Sequence, residues 1–584
     1  MAGSAPHRSR CRVSALLSAL VTVVLVAACT NTPPPPLVDP THTDQVPSDP
    51  VPNEVVVGVD ELSGGFNPHL LSDLSATTTV LASLLLPSVF RPGPGGDPRL
   101  DRSVATSARV VDAEPFTVRY VLRQDASWSD GAPIAAEDFD YLWQRMRAEP
   151  GVVDSAGYRL IDEITSRNGG KVVEVTFSEP YPAWRSLFSD LLPAHLLKDA
   201  PGGWTGAFSN TFPVSGNAFT VNVMDLERGE LILERNDKYW YNPASLDRIV
   251  FREASHSGLA SALDSDDNQA AMLRADAIAT GLLAGIGTPL DRWTVPRSHR
   301  VEVLFRPASP QLSDQRVRRA VAASLDRDFL IAAGARSGPS ADLRADAQLR
   351  SPVDPAFAST LPEDSVLGSG DPDLLVEQLS EAGYALVDGQ WLRNGVPFEL
   401  VVAAPREQEP YTSLAGHVAR QLRDLGVETS LVTPPADELY QMLMSGQQGG
   451  GASAGTAGGE GENRPIVDVA VVPRPTGGDV ATELASWFGC VPAAVDGAPV
   501  LPGNPAGFCD PQLQPVIDSV LTGGTPLSEV EAELEGALWQ RAVTLPLFQL
   551  AETVVATEEL DGLAHTRPFL GPFSSALHWR RVGA

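Results

Sequence analysis

The apolar run from Val13 to Val26 sets what the rest of the chain can be. It follows Arg8, Arg10 and Arg12 and closes on Ala27, Ala28 and Cys29, the layout of a signal peptide with basic, apolar and small-residue cleavage regions. Residues 1–28 are therefore expected to leave during export, and the remainder to fold outside the cytoplasm. No later segment approaches 18 uninterrupted apolar residues, so no second membrane span is expected. The apolar side chains beyond residue 53 must instead be buried in water-facing cores. At 584 residues, 43% hydrophobic and 20% charged, the chain has a globular composition and is too long for one core, which predicts at least two lobes.

The ending Val26-Ala27-Ala28-Cys29 resembles a bacterial lipobox, which implies a diacylated Cys29 at the mature N-terminus. An ordinary signal peptide with an incidental cysteine is the alternative. Two acyl chains suffice for stable anchoring where one is marginal. Residues 29–53 are proline-rich and expected to form an extended stalk reaching up to roughly 70 Å. Cys11 leaves with the signal peptide, so Cys490 and Cys509 remain as two thiols in an oxidising compartment, and a disulfide is the economical reading. No CxxC or HExxH motif accompanies them, and neither a Walker loop nor a dinucleotide fingerprint occurs, so no metal and no cofactor is expected. A net charge of −30 argues against nucleic acid as a partner.

Along the body, residues 54–60 (EVVVGVD) form a β-branched run expected as a buried strand, followed by a helical stretch that Pro87 stops. Phe116, Val118, Tyr120 and Leu122 alternate with polar residues as an amphipathic strand. Asp130-Gly131 marks a turn, and Phe139, Leu142, Trp143 and Met146 share one helical face. Glu137 and Asp138 then sit in the first turn of that helix, where negative charge complements exposed N–H groups. These carboxylates are adjacent on one turn, whereas a hydrolase pair must face across a cleft. This acidic stretch is therefore expected to be structural rather than catalytic.

Several stretches carry a family resemblance. Trp128-Ser129-Asp130-Gly131-x-Pro133 with Ala136-Glu137-Asp138-Phe139-x-Tyr141, then residues 233–251, 313–328, 371–384, 418–432 and 542–556, resemble in order the extracellular solute-binding proteins of oligopeptide ABC importers. GFNPHLL, EPYPAW and LLPAHLLKDAPGGW, with the lipobox and stalk, narrow the resemblance to an actinobacterial branch of that family. The resemblance implies an α/β, two-lobed periplasmic-binding-protein-like fold of type II with an extra small subdomain. It places lobe I at 54–88, 205–298 and 548–584, the subdomain at 89–204 and lobe II at 299–547. For that branch it implies an anionic glycolipid ligand of the mannosylated phosphatidylinositol type and a role in lipomannan and lipoarabinomannan assembly. The alternative is oligopeptide uptake with an ABC permease; for the envelope role an envelope glycosyltransferase is the expected partner. A monomer, held to the membrane by its lipid, is expected in either case. Helix and strand signals alternating after residue 300 suggest a largely parallel sheet there.

The chain also departs from the peptide-binding pattern. Those members carry a Trp-x-x-Asp stretch for the peptide's amino group; residues 468–490 lack that Trp, and Arg474 and Asp479 flank a turn instead. An arginine there would favour a phosphate or carboxylate, while a loop arginine in water is the other reading. The expected cleft is lined by Phe66, Asn67 and His69, with Arg474, Asp479 and Trp487; Trp487 either stacks on a sugar ring or packs in a core. Ser215-Gly216-Asn217-Ala218-Phe219 replaces a Gly-x-Gly-Pro-Tyr crossover, with Gly216 left to supply an unusual backbone angle. Residues 445–463 are expected to form a Gly/Ala-rich surface insertion, within which Gly451-x-Ser453-x-Gly455 is a chance match to a hydrolase elbow.

Overall fold

The computed structural model describes residues 53–582 apart from 63–64, 94–95, 201–202, 207, 446–464, 492–500 and 565–568. The signal peptide, Cys29, the stalk to residue 52 and the Gly451–Gly455 motif lie outside the described residues, as does the Gly/Ala-rich insertion from residue 446 onward.

A ten-stranded sheet organises the body. Its strands in chain order are β1 (Glu54–Val59), β2 (Phe219–Asp225), β3 (Glu230–Arg235), β4 (Arg248–Glu253), β5 (Ala270–Leu273), β6 (Leu290–Phe305), β7 (Glu399–Ala403), β8 (Glu428–Val432), β9 (Val469–Pro475) and β10 (Thr544–Thr557). Across the sheet the order is β8-β7-β9-β6-β10-β5-β1-β4-β3-β2. β1 lies parallel between β4 and β5, and all its residues after Glu54 are buried, as a β-branched run covered on both faces requires.

The sheet is mixed, which corrects the expectation of a largely parallel one after residue 300. β7 is parallel to β8 and β9, but β6 pairs antiparallel with both β9 and β10. The helix-to-strand periodicity that suggests parallel units is local to β7–β9. The two long strands run across both halves of the sheet, and a local pattern carries no sign of their direction. Their ladder runs from Leu290↔Thr557 to Pro296↔Ala551, breaks, and resumes at Arg300↔Gln549. β5 joins β10 on one side of the break, and β9 joins β6 on the other.

A separate four-stranded antiparallel sheet, Ala105–Ala113, Phe116–Leu122, Val172–Phe177 and Ile161–Arg167, packs on the helix Ala136–Ala148. Phe139, Leu142, Trp143 and Met146 are buried on one face of that helix, with Phe139 4.7 Å from Phe188 and 5.7 Å from Tyr120 between ring centroids. Asp138 is buried and serves the turn. Its carboxylate accepts from the backbone N–H of Ala135 and Ala194, both at 3.0 Å, and from the Trp128 indole at 3.3 Å. The acidic WSDG…AEDF stretch thus ties a turn, a helix start and a distant loop together.

Gly216 does not adopt a left-handed angle. Its requirement is space, since a Cβ there would lie 2.7 Å from Pro87 Cγ. Arg318 is buried and donates to the carbonyls of Leu312, Ser313 and Arg541, while Arg316 pairs with Asp314 at the surface. The arginines of the helix Gln315–Ala323 therefore have partners of their own, Arg319 donating to the Gln540 carbonyl.

Asp138→Ala strips the acceptor from three N–H groups, and each unmet buried donor costs about 1–3 kcal/mol. Urea unfolding is expected to show a loss of about 3 kcal/mol or more; a loss below about 1 kcal/mol would mean that the carboxylate does not hold the turn.

Candidate ligand-binding site

The loop after β1 delivers three of the expected cleft residues, and the structure gives them different work. Phe66 is fully buried, 6.1 Å from Phe212. Asn67 is fully buried too: its backbone N–H donates to Asp73 at 2.9 Å, its amide to the Trp204 carbonyl at 3.3 Å, and its side-chain oxygen accepts from the His69 N–H at 3.1 Å. Both shape the loop from below. His69 reaches a cavity, stacking 6.0 Å from Trp204 with Nε2 2.9 Å from the Asp190 carbonyl. A carbonyl only accepts, so Nε2 carries the hydrogen. Burial holds the ring's pKa below its ordinary value despite that bond, leaving it neutral.

The cavity measures about 510 Å³, within the range of small-molecule sites. Five segments of the sequence build it. His69 comes from the first loop, Phe90 and Arg91 from a hairpin, and Asp154 and Tyr158 from a turn and short helix. Arg185 and Asp190 follow from the next loop, with Gly477, Asp479 and Thr482 arriving after β9. Asp479 caps the helix Val480–Phe488, accepting from the Thr482 N–H at 2.9 Å and its hydroxyl at 2.8 Å. Glu483 accepts from the Gly478 N–H at 2.7 Å. Burial pushes the Glu483 carboxyl up to about 8, with Asp154 adding to the rise. Burial likewise raises Asp154 to about 6, opposed by Arg474 and reinforced by Asp479. Asp154 and Asp479 thus line the cavity with Glu483 close by, and burial favours the protonated forms of Asp154 and Glu483.

Arg474 is neither a cleft arginine nor one in water. It lies in β9, 1% exposed, and its side chain points into the body. The ladder sets it directly across from Arg300 on β6. Glu302 lies between them: Arg300 Nε donates to it at 2.6 Å and Arg474 Nη1 at 3.3 Å. Both guanidiniums also donate to the Gln348 carbonyl, Arg300 at 2.6 Å and Arg474 at 2.8 Å. Burial, then the neighbouring Arg300, lowers the Arg474 pKa to about 10, so it stays charged at neutral pH. Trp487 is a core tryptophan, with the Arg474 guanidinium 5.6 Å from its ring and 4.9 Å from that of Phe488. Trp487 also borders a smaller cavity of about 260 Å³ that shares Met146 and Asp154 with the first. Cys490 and Cys509 are joined as a disulfide with Cα atoms 4.9 Å apart.

Sequence reasoning missed Asp154, Tyr158, Arg91 and Arg185. Arg185 directly follows the EPYPAW segment, its guanidinium 4.2 Å from the Trp184 ring, with no ion pair among the described residues. That segment is marked in the sequence, but the direction of the arginine is not. Asp154 adopts a left-handed φ of 47°, and no local motif announces it.

The pattern of the bacterial extracellular solute-binding proteins, family 5 Middle, matches residues 100–460. The chain belongs to this family of solute-binding proteins. It is 34% identical, over 99% of both chains, to the probable monoacyl phosphatidylinositol tetramannoside-binding protein LpqW of Mycobacterium tuberculosis. Among solved structures it is similar to the periplasmic EDTA-binding protein EppA (TM-score 0.67, 23% identity, 91% of this chain and 97% of that one). It is also similar to the oligopeptide-binding protein AppA of Bacillus subtilis with a nonapeptide (TM-score 0.67, 14% identity, 91% and 100%). The fold is accordingly the two-lobed α/β fold of these binding proteins, and the cavity lies where the segments above converge.

Removing Glu302 would leave Arg300 and Arg474 facing each other without the carboxylate that bridges them. Glu302→Ala is expected to cost about 3–5 kcal/mol in urea unfolding, and a change under about 1 kcal/mol would show the triad to be dispensable. A second outcome concerns pH. Between the ordinary value of 4.5 and about 8, the folded chain keeps a proton on Glu483 that the unfolded chain has released, so this group makes stability fall as pH rises. In Glu483→Gln the urea midpoint is expected to drop less between about pH 5 and 8 than in the wild type; equal drops would mean that Glu483 is ionised in the fold.

Proposed function

We propose that the chain is a lipid-anchored binding protein on the outer face of the cell membrane that holds a mannosylated phosphatidylinositol-type glycolipid and acts, without catalysis, in lipomannan and lipoarabinomannan assembly. The observation that carries this reading is the likeness to LpqW, which spans 99% of both chains rather than one shared segment. The cavity chemistry is compatible with it. Asp154, Asp190 and Asp479 offer acceptors for sugar hydroxyls, and Phe90 and Tyr158 offer apolar faces for a ring. Arg185 stands at the cavity as a cation without an ion pair among the described residues. The expected lobe boundaries near 298/299 and 547/548 lie close to the interruption of the β6–β10 ladder, which supports reading that point as a hinge. Cys29 supplies the anchor, and an envelope glycosyltransferase is the partner on this reading.

The second reading, oligopeptide capture for an ABC permease, is favoured by the same carboxyl cluster, which would attract a peptide's amino group. Mass spectrometry of what co-purifies with the full chain from its native membrane separates the two. Mannosylated phosphatidylinositol is the expected species, and a population of short peptides would overturn the glycolipid reading. Arg185→Ala is expected to weaken binding of the purified glycolipid about tenfold in calorimetry, and unchanged affinity would exclude Arg185 from the contact.

A further inference from the structure

A second cavity, of about 460 Å³, lies between the hairpin Phe90–Pro92/Pro98–Leu100 and the C-terminal turn Gly571–His578. Arg91 and Pro92 line both this cavity and the 510 Å³ one, so the first hairpin strand is the partition between them. We propose that this second cavity is a distinct ligand subsite that takes a phosphorylated polyol, the anionic end of a ligand whose sugar portion occupies the first cavity.

The partition is rigid because its arginine is fully used. Arg91 donates through Nε to Asp101 at 2.7 Å and through its two terminal nitrogens to the carbonyls of Ser83 at 3.3 Å and Leu86 at 2.8 Å. Asp101, the one carboxylate lining this cavity, is consumed in return, since it also accepts from the Ser103 N–H and hydroxyl. Two further arginines then dominate the wall. Arg99 pairs through Nε with Asp97 at 2.9 Å in a solvent-exposed contact, its side chain 63% exposed. Arg102 is exposed and has no hydrogen bond or ion pair among the described residues. In a chain of net charge −30, a cavity whose carboxylate is neutralised and whose remaining charges are guanidiniums selects an anion. Guanidinium forks suit phosphate oxygens in particular.

The opposite wall supplies what a polyol needs. Ser574 Oγ is buried without a hydrogen-bond partner, so a ligand hydroxyl reaching it would satisfy an otherwise unmet group. Asn242 adds an amide, and Tyr239 and Tyr241 line the same cavity, Tyr241 being 41% exposed. A bare phosphate would use the arginines and leave these groups idle. The inference deepens the glycolipid reading, but the subsite stands on residues that the first cavity does not use.

Calorimetry on the full chain in detergent, at low salt, tests it with four probes: myo-inositol 1-phosphate, myo-inositol, inorganic phosphate and a neutral mannotetraose. Inositol phosphate is expected to bind more tightly than phosphate or inositol alone. The double variant Arg99→Ala/Arg102→Ala is expected to weaken it about tenfold or more. Equal affinity for inorganic phosphate, no binding of inositol phosphate, or an unaltered double variant would each overturn the subsite. Inositol phosphate binding with the expected variant response, but no mannotetraose binding, would uphold the subsite and count against the glycolipid reading of the first cavity.

Discussion

Two arginines and one glutamate, all buried, hold the place on which the rest of the body depends. Arg300 and Arg474 oppose each other across β6 and β9, and Glu302 shares one oxygen between them. Burying three charges is expensive, and their attraction offsets that cost only where the geometry is good and the remaining donors are met. Here the Arg300 guanidinium is met by the carbonyls of Ala347, Gln348 and Arg350, which pins the segment around residue 348 to the sheet. Gln348 and Leu349 donate in turn to Glu535 on the helix Leu527–Arg541. One ionic centre thereby fixes two strands, a loop and a helix at the point where the long strands pass between halves of the sheet.

The cleft inherits its geometry from that centre. β9 ends one residue after Arg474, and the chain turns through Thr476, Gly477 and Gly478 into the helix that Asp479 caps. Gly477 has φ of 92°, and a Cβ there would meet the Phe569 ring at 2.2 Å, so the turn needs a residue without a side chain. The capping aspartate and Glu483 then face Asp154 from a position set by the strand behind them. Trp487 and Phe488, one to two turns on, return to cover Arg474. Strand, turn, cap and helix form one closed loop of contacts around a single buried guanidinium.

Much of this was legible in the sequence, and the limits have physical causes. β1 and the helix Ala136–Ala148 were readable because burial imposes a local period, with Phe139, Leu142, Trp143 and Met146 at helical spacing. The family's motifs carried the two-lobed fold. The wall of the cleft was read less well. Arg474 next to a Gly-Gly turn looks like a surface cation until its cross-strand neighbour is known, and Arg300 lies 174 positions earlier on β6. Phe66 and Asn67, expected to line the cleft, lie in the expected loop but turn to its buried side, because alternation within a loop has no fixed period. Asp154, Arg185 and the second cavity arise from segments brought together only by the fold, and no spacing within any one of them encodes the meeting.

Hydrogen exchange on the full chain, with and without mannosylated phosphatidylinositol, examines the central idea most directly: that one cavity at the meeting of five segments grips a glycolipid and releases it intact. Slowed exchange is expected together in the backbone around 68–70, 154–158, 183–190 and 477–482, with the ligand recovered at unchanged mass. No protection in these segments, or protection with a cleaved or shortened ligand, would contradict it.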